Sequence, residues 1–189
     1  PNALKLSPAP SVFGELGAKE PEPESERSEA AATPKALKLS SWRTAEPPVF
    51  VVGGGVDRDG AFDDVVALAE RHQARVWTAP MSGRCAFPED HRLFAGFLPA
   101  MREKIVSLLQ GHDLVVVIGA PAFAYHVEGF GPHVPAGAAL FQIIDDADTA
   151  SWTPVGTSLV ASPRAAVRDL LGLHIDAALL QEGSVLQLL

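Results

Sequence analysis

Cysteine is almost missing from this chain: Cys85 is the only one. That excludes an internal disulfide framework and a zinc site built on cysteines. A single thiol fits a reducing compartment, so a cytoplasmic location is the expectation. Long apolar runs are missing too, and none reaches the roughly 18 residues that a membrane-spanning helix needs. The start, Pro1-Asn2-Ala3-Leu4, has neither an initiator Met nor a charged-then-apolar signal pattern, so the chain is expected to be a truncated product or a fragment. Positive charge is also scarce, with 15 Lys and Arg against 23 Asp and Glu and a formal net charge of −8. Residues 1–48 hold six Lys and Arg and seven Glu, which leaves about −7 for residues 49–189. A folded part this acidic argues against nucleic acid and anionic membranes as partners, because both are held through Lys and Arg.

What is present divides the chain in three. Residues 1–46 read as a Pro/Glu-rich linker. The run Glu20 to Glu29 has no apolar residue, so it cannot bury enough surface to offset its ordering entropy and is expected to be disordered. Ala3-Leu4-Lys5-Leu6-Ser7 recurs as Ala36-Leu37-Lys38-Leu39-Ser40. The repeat reads as a local duplication in a biased segment, with a pair of docking peptides as the other reading. Residues 47–174 read as the folded domain, and residues 175–189 as a C-terminal extension with a helix over Ile175 to Gln181.

Within the folded part, Val49–Val52 is a short apolar strand that stops at Gly53-Gly54-Gly55. Helical spacing of Phe62, Val65, Val66, Leu68 and Ala69 predicts a helix over Gly60 to His72, with Asp57 or Asp59 capping it. Arg75–Thr78 reads as a second strand, and Pro80 to Phe97 as a long loop. Leu98, Met101, Ile105, Leu108 and Leu109 are expected to form the buried stripe of the next helix. Leu114–Ile118 is apolar on both faces, the pattern of a central parallel strand. Strands at Ala139–Ile144 and Ser158–Val160 and a helix over Pro163 to Leu173, with Pro near its first turn, complete the alternation. The fold class is α/β, a doubly wound Rossmann-like parallel sheet.

Candidate sites compete with plainer roles. Gly53 and Gly55 at the first strand end, Gly119 at the central strand end and Asp145 at the next are the possible nucleotide positions. Such a turn lets a diphosphate approach the backbone, and a strand-end carboxylate can take a ribose hydroxyl. Arg58 stands where the nucleotide fingerprint needs its third glycine, and Asp57 and Asp59 would repel a phosphate, so a tight packing turn is favoured. Asp146 and Asp148 beside Asp145 fit helix capping or solvation equally well. His126, Glu128 and His133 match no metal-ligand spacing, and Ser82, Cys85 and His91 no nucleophile–base spacing. No catalytic residue and no metal ligand is assigned.

Several ordered stretches resemble one family. Val49–Gly55, then Arg84-Cys85-Ala86-Phe87-Pro88-Glu89-Asp90-His91, then Asp113–Gly119 are similar to the central domain of thiamine-diphosphate-dependent enzymes. Asp57–Ala61, Leu68–Arg71, Gly111–Val115, Pro135–Ala138 and Phe141–Asp145 extend the match toward the benzoylformate decarboxylase branch, over about residues 47–173. The resemblance implies a parent 2-oxo acid decarboxylase, a lyase with thiamine diphosphate and Mg²⁺ as cofactors. It also implies partner domains that bind the pyrimidine and the diphosphate of that cofactor. The family's Gly-Asp-Gly triplet for Mg²⁺ does not occur in this sequence. The chain is therefore expected to be a structural domain without activity or cofactor of its own, within or beside partner domains or as a homo-oligomer. The alternative is a regulatory or interaction module that binds FAD or ADP on the same fold, as some relatives' central domains do.

Overall fold

The computed structural model describes residues 47–172. The expected linker, its repeat, the C-terminal extension and the helix over Ile175 to Gln181 lie outside the described residues.

The chain alternates as β1 (Val49–Val52), α1 (Gly54–Arg58), α2 (Phe62–His72), β2 (Arg75–Thr78), β3 (Phe94–Phe97), α3 (Arg102–Leu108), β4 (Leu114–Ile118), β5 (Ala139–Ile144), α4 (Ala147–Ser151), β6 (Thr157–Val160) and α5 (Pro163–Leu170). Every strand pairing is parallel and the sheet order is β3-β2-β1-β4-β5-β6. The sequence expectation of a doubly wound parallel sheet therefore holds. β1 and β4 are neighbours at the point where the strand order reverses, so their carboxyl ends border the crevice in which such sheets usually hold ligands.

The strands form because apolar β-branched residues can be buried on both sides. Phe50, Val52, Leu114, Val116 and Ile118 point to one face, where Val65 and Leu68 of α2 and Val167 and Leu170 of α5 cover them. Val49, Val51, Val115 and Val117 point to the other, against Ile105 and Leu109 and against Phe123 from the loop after β4. Each fully buried Val, Leu, Ile or Phe contributes about 1.5–3 kcal/mol. One polar side chain is completely buried in this core, Gln142 of β5. Its amide donates to the Ala120 carbonyl at 2.8 Å, and its Oε1 accepts from Thr153 at 2.5 Å and Ser158 at 2.8 Å. The core therefore carries a satisfied polar bridge from the β4 turn to β6.

Some expectations need correction. The stretch after Pro80 is not loop throughout, because Phe94–Phe97 pairs with β2 as an edge strand. Neither Asp57 nor Asp59 caps α2, whose N-cap is Ala61. Asp59 instead accepts from Ser162 at 2.6 Å and from the Arg164 amide at 2.8 Å, at the start of α5. The buried stripe of the third helix is shorter than expected. Met101 is extended and 46 % exposed, and Leu108 is 40 % exposed. Helical geometry begins only at Arg102, and Leu108 lies one step, about 100°, off the face that Ile105 and Leu109 share. α4 adds to the expected helices; of the two readings of Asp146, capping is the one observed, since it accepts from the Thr149 amide at 3.0 Å.

Candidate functional site

The four possible nucleotide positions come together at the carboxyl edge of the sheet. The Gly53 amide donates to Ile118 at 3.0 Å, the Gly55 amide to Gly119 at 2.9 Å, and the Gly119 amide to Ile143 at 2.8 Å. The β1 turn and the β4 turn thus lie directly on each other. A Cβ on Gly55 would meet the Gly119 Cα at 2.7 Å, and one on Gly53 would meet the Ala120 Cβ at 2.6 Å. Gly119 has φ +65°, and a Cβ there would meet the Val56 amide nitrogen at 2.6 Å. Only glycine fits at these positions, and backbone already occupies the space that each missing side chain leaves. α1, at five residues, is too short to gather much of a helix dipole for an anion.

The charged groups around these turns are paired with one another. Arg58 donates to both carboxylate oxygens of Asp145, at 2.7 and 2.9 Å. That hydrogen bond first, and the Asp145 charge second, raise the Arg58 pKa above its ordinary value. The residue that breaks the glycine fingerprint thus holds the carboxylate a ribose would need. Arg84 pairs with Asp57 at 2.6 Å, and Asp59 is taken up at the α5 N-terminus. A diphosphate approaching this edge would meet these ion pairs and the Asp57 carboxylate.

The other candidate sets do not assemble. Ser82 donates to the Arg84 carbonyl at 3.0 Å, and Cys85 to the Phe87 carbonyl at 3.1 Å. His91 accepts from the Leu93 amide through Nδ1 at 3.2 Å and faces Glu70 through Nε2 at 3.3 Å. Each orders its own stretch of chain, and none of the three bonds to another. His133 pairs with the Tyr125 hydroxyl at 3.0 Å, and the His126 amide donates to Ala100 at 3.0 Å. Among the described residues, no group of three or more His, Cys, Asp or Glu is arranged to hold a metal ion. No helix among the described residues is long and apolar enough to cross a membrane.

Sequence reasoning missed the partners. Arg58 and Asp145 are 87 positions apart, and Asp59 and Ser162 are 103 apart, and no local pattern links such pairs. Gln142 did carry a signal, being a lone amide in an otherwise apolar strand.

Comparison with known proteins agrees with this architecture. The sequence model of the family described as "Thiamine pyrophosphate enzyme, central domain" matches residues 40–170. Benzoylformate decarboxylase of Pseudomonas aeruginosa is 38% identical over 164 residues, which is 87% of this chain and 27% of that protein. A probable acetolactate synthase large subunit of Methanocaldococcus jannaschii is 32% identical over 139 residues, 72% of this chain and 23% of that protein. Among solved structures, the thiamine diphosphate-dependent 4-hydroxybenzoylformate decarboxylase of Rhodococcus jostii RHA1 superposes with a TM-score of 0.67 at 40% identity. It is matched over 71% of this chain and 26% of its own. The benzoylformate decarboxylase of Polynucleobacter necessarius gives a TM-score of 0.68 at 38% identity, over 71% of this chain and 25% of its own. The chain thus spans about a quarter of the length of the relatives it matches. With its sequence match over residues 40–170 and its six-stranded parallel sheet, the chain belongs to the thiamine pyrophosphate enzyme family, as a central domain.

Proposed function

We propose that this chain is the structural central domain of a benzoylformate-decarboxylase-like enzyme, a lyase acting on an aryl 2-oxo acid, and has no decarboxylase activity by itself. The observation that carries this reading is the closed carboxyl edge. The turns that would cradle a ligand are packed backbone to backbone, with a Cβ-to-Cα clearance of 2.7 Å at Gly55 and Gly119. The Asp145 carboxylate is held at both oxygens by Arg58. The chemistry of the parent reaction belongs to thiamine diphosphate. The domains that bind its pyrimidine and its diphosphate, with Mg²⁺, are the partners this reading requires. The absence of a Gly-Asp-Gly triplet from the sequence supports it. Exposed apolar side chains such as Phe97, Met101 and Trp152 support coverage by such domains, or by further copies of the chain.

The test is turnover. The purified chain, given benzoylformate, thiamine diphosphate and Mg²⁺, is expected to release no carbon dioxide, and measurable turnover overturns the reading. Calorimetric titration with FAD, ADP and NAD separates it from the regulatory nucleotide-binding alternative. No heat and no thermal shift are expected, whereas saturable binding that Asp145→Asn or Gly55→Ala abolishes would establish the alternative.

A further inference from the structure

Residues 119–138, between β4 and β5, contain no helix or strand. Irregular connections this long, beyond about 12–15 residues, are uncommon in compact domains and are usually functional. This one crosses the N-terminal end of α3 and is fastened there by few groups. The Phe130 amide donates to Glu103 at 2.8 Å, and Arg102 reaches the Gly131 carbonyl at 3.4 Å. The Arg102 guanidinium lies 5.2 Å from the Tyr125 ring centroid, and the Tyr125 hydroxyl pairs with His133 Nδ1 at 3.0 Å. The fit is close, since a Cβ on Gly129 would meet the Arg102 Cβ at 2.7 Å. Beneath these contacts Phe123 belongs to the apolar cluster that includes Ile105 and Leu109, and Tyr125 and Val134 pack against that cluster. Above them Phe130 and Val127 are 84% and 66% exposed.

Arg102 forms no ion pair with a carboxylate among the described residues, and its buried Nε has no hydrogen-bond partner. His133 is thus set near a cation that shares its field with the neighbouring Glu103 carboxylate. Glu103, the other charged group of α3 at this contact, is engaged by the Phe130 amide.

We propose that residues 125–134 of this connection form a strap latched to α3 through Tyr125, His133 and Arg102, and that proton uptake by His133 in mild acid releases it. Protonation places a second positive charge beside Arg102, and in the tautomer whose Nδ1 accepts from Tyr125 it also reverses the donor of that hydrogen bond. Burial, and to a lesser extent Arg102, already hold the His133 pKa below the ordinary histidine value. The released strap has an ordinary histidine with pKa near 6.5. The sign follows: the latch is at full strength above about pH 6.5 and weakens as pH falls through that value. Release would free Tyr125 and Val134 from the apolar cluster beneath them and open an apolar face that is closed at neutral pH.

Tyr125 is the chain's only tyrosine, so a ¹³C-tyrosine label gives a single NMR signal from the strap. The experiment follows that signal in the full chain from pH 8 to 5, with protection of the His126 and Phe130 amides, which donate to Ala100 and Glu103, and the ring resonances of His133. Protection is expected to fall several-fold, by at most about tenfold per pH unit for one proton. The fall should share the midpoint of the His133 titration. In His133→Gln, whose amide oxygen can still accept from Tyr125, the step should vanish. A flat wild-type profile, a midpoint different from that of His133, or an unchanged step in His133→Gln would each overturn the proposal. Should the variant not fold, the shared midpoint in the wild-type chain decides alone.

Discussion

Single residues do their work here by closeness and by pairing. Gly119 combines a left-handed backbone with a 2.6 Å clearance to the Val56 nitrogen, so Gly119→Ala meets both costs at once. The left-handed conformation costs roughly 1–2 kcal/mol and overpacking roughly 1–3 kcal/mol, so a loss of about 2–5 kcal/mol is expected from urea denaturation. Gly54→Ala is the control, because its new methyl would meet Arg84 only at an ordinary 3.6 Å. A change within about 0.5 kcal/mol is expected there. Equal effects at the two positions would show that the packed turns do not govern stability. Asp145 belongs to the other kind. Its pair with Arg58 has side chains 34% and 59% exposed, so Asp145→Asn should cost no more than about 1 kcal/mol. A larger loss in the same denaturation experiment would mean that the pair braces β5 more than its exposure suggests. The glycines were legible as a turn because three in a row ending an apolar strand leave few other readings. Which backbone they approach was not legible, since Gly119 lies on a different strand.

At the scale of elements, legibility followed burial. β1 and β4 could be read directly because each is apolar on both faces, a pattern that only covered parallel strands sustain. β3 was hidden because Phe-Ala-Gly-Phe at a sheet edge alternates with nothing, and Gly96 at φ +117° breaks the register with β2. α4 was hidden because its Asp-rich start reads equally well as a solvated turn, and only the reach of Asp146 to the Thr149 amide decides it. Gln142 joins elements that sequence reading treated separately. Replacing it with Leu keeps the strand's shape but strips hydrogen bonds from the Ala120 carbonyl and from the Thr153 and Ser158 hydroxyls. Thr153 and Ser158 retain each other at 2.9 Å, so the Ala120 carbonyl suffers most. Gln142→Leu should therefore destabilise by about 1–3 kcal/mol. The loss of amide protection should concentrate in β6 and the β4 turn rather than in β2. Uniform loss across the sheet would instead point to general core disruption.

For the whole molecule, the chain enters and leaves the sheet at the same edge. The Pro47 carbonyl is bonded by His112 just before β4, and the Leu171 carbonyl by Arg71 near the end of α2. The packed glycine turns lie at the opposite, carboxyl edge. Stability of this unit is linked to pH through groups spread over both faces. Burial first and Arg71 second lower the His72 pKa, and His133 is lowered by burial and Arg102. Both histidines bind protons more weakly folded than unfolded, where the pKa is near 6.5. Their stabilising contribution is complete above that value and is lost as pH falls through it. Asp146 is held below its ordinary carboxylate value by the Thr149 hydroxyl and amide, and Glu103 by the Phe130 amide. Their contributions survive mild acid and disappear only as pH drops below the carboxylate range, near 4. The urea midpoint at constant ionic strength should therefore fall in two separate steps between pH 8 and 3. Substituting both His72 and His133 with Gln should flatten the upper step and leave the lower one in place, because the carboxylates that produce it are untouched. An upper step that persists in the double variant would assign the neutral-range loss to other groups, and the idea that these two half-buried histidines cause it would fail.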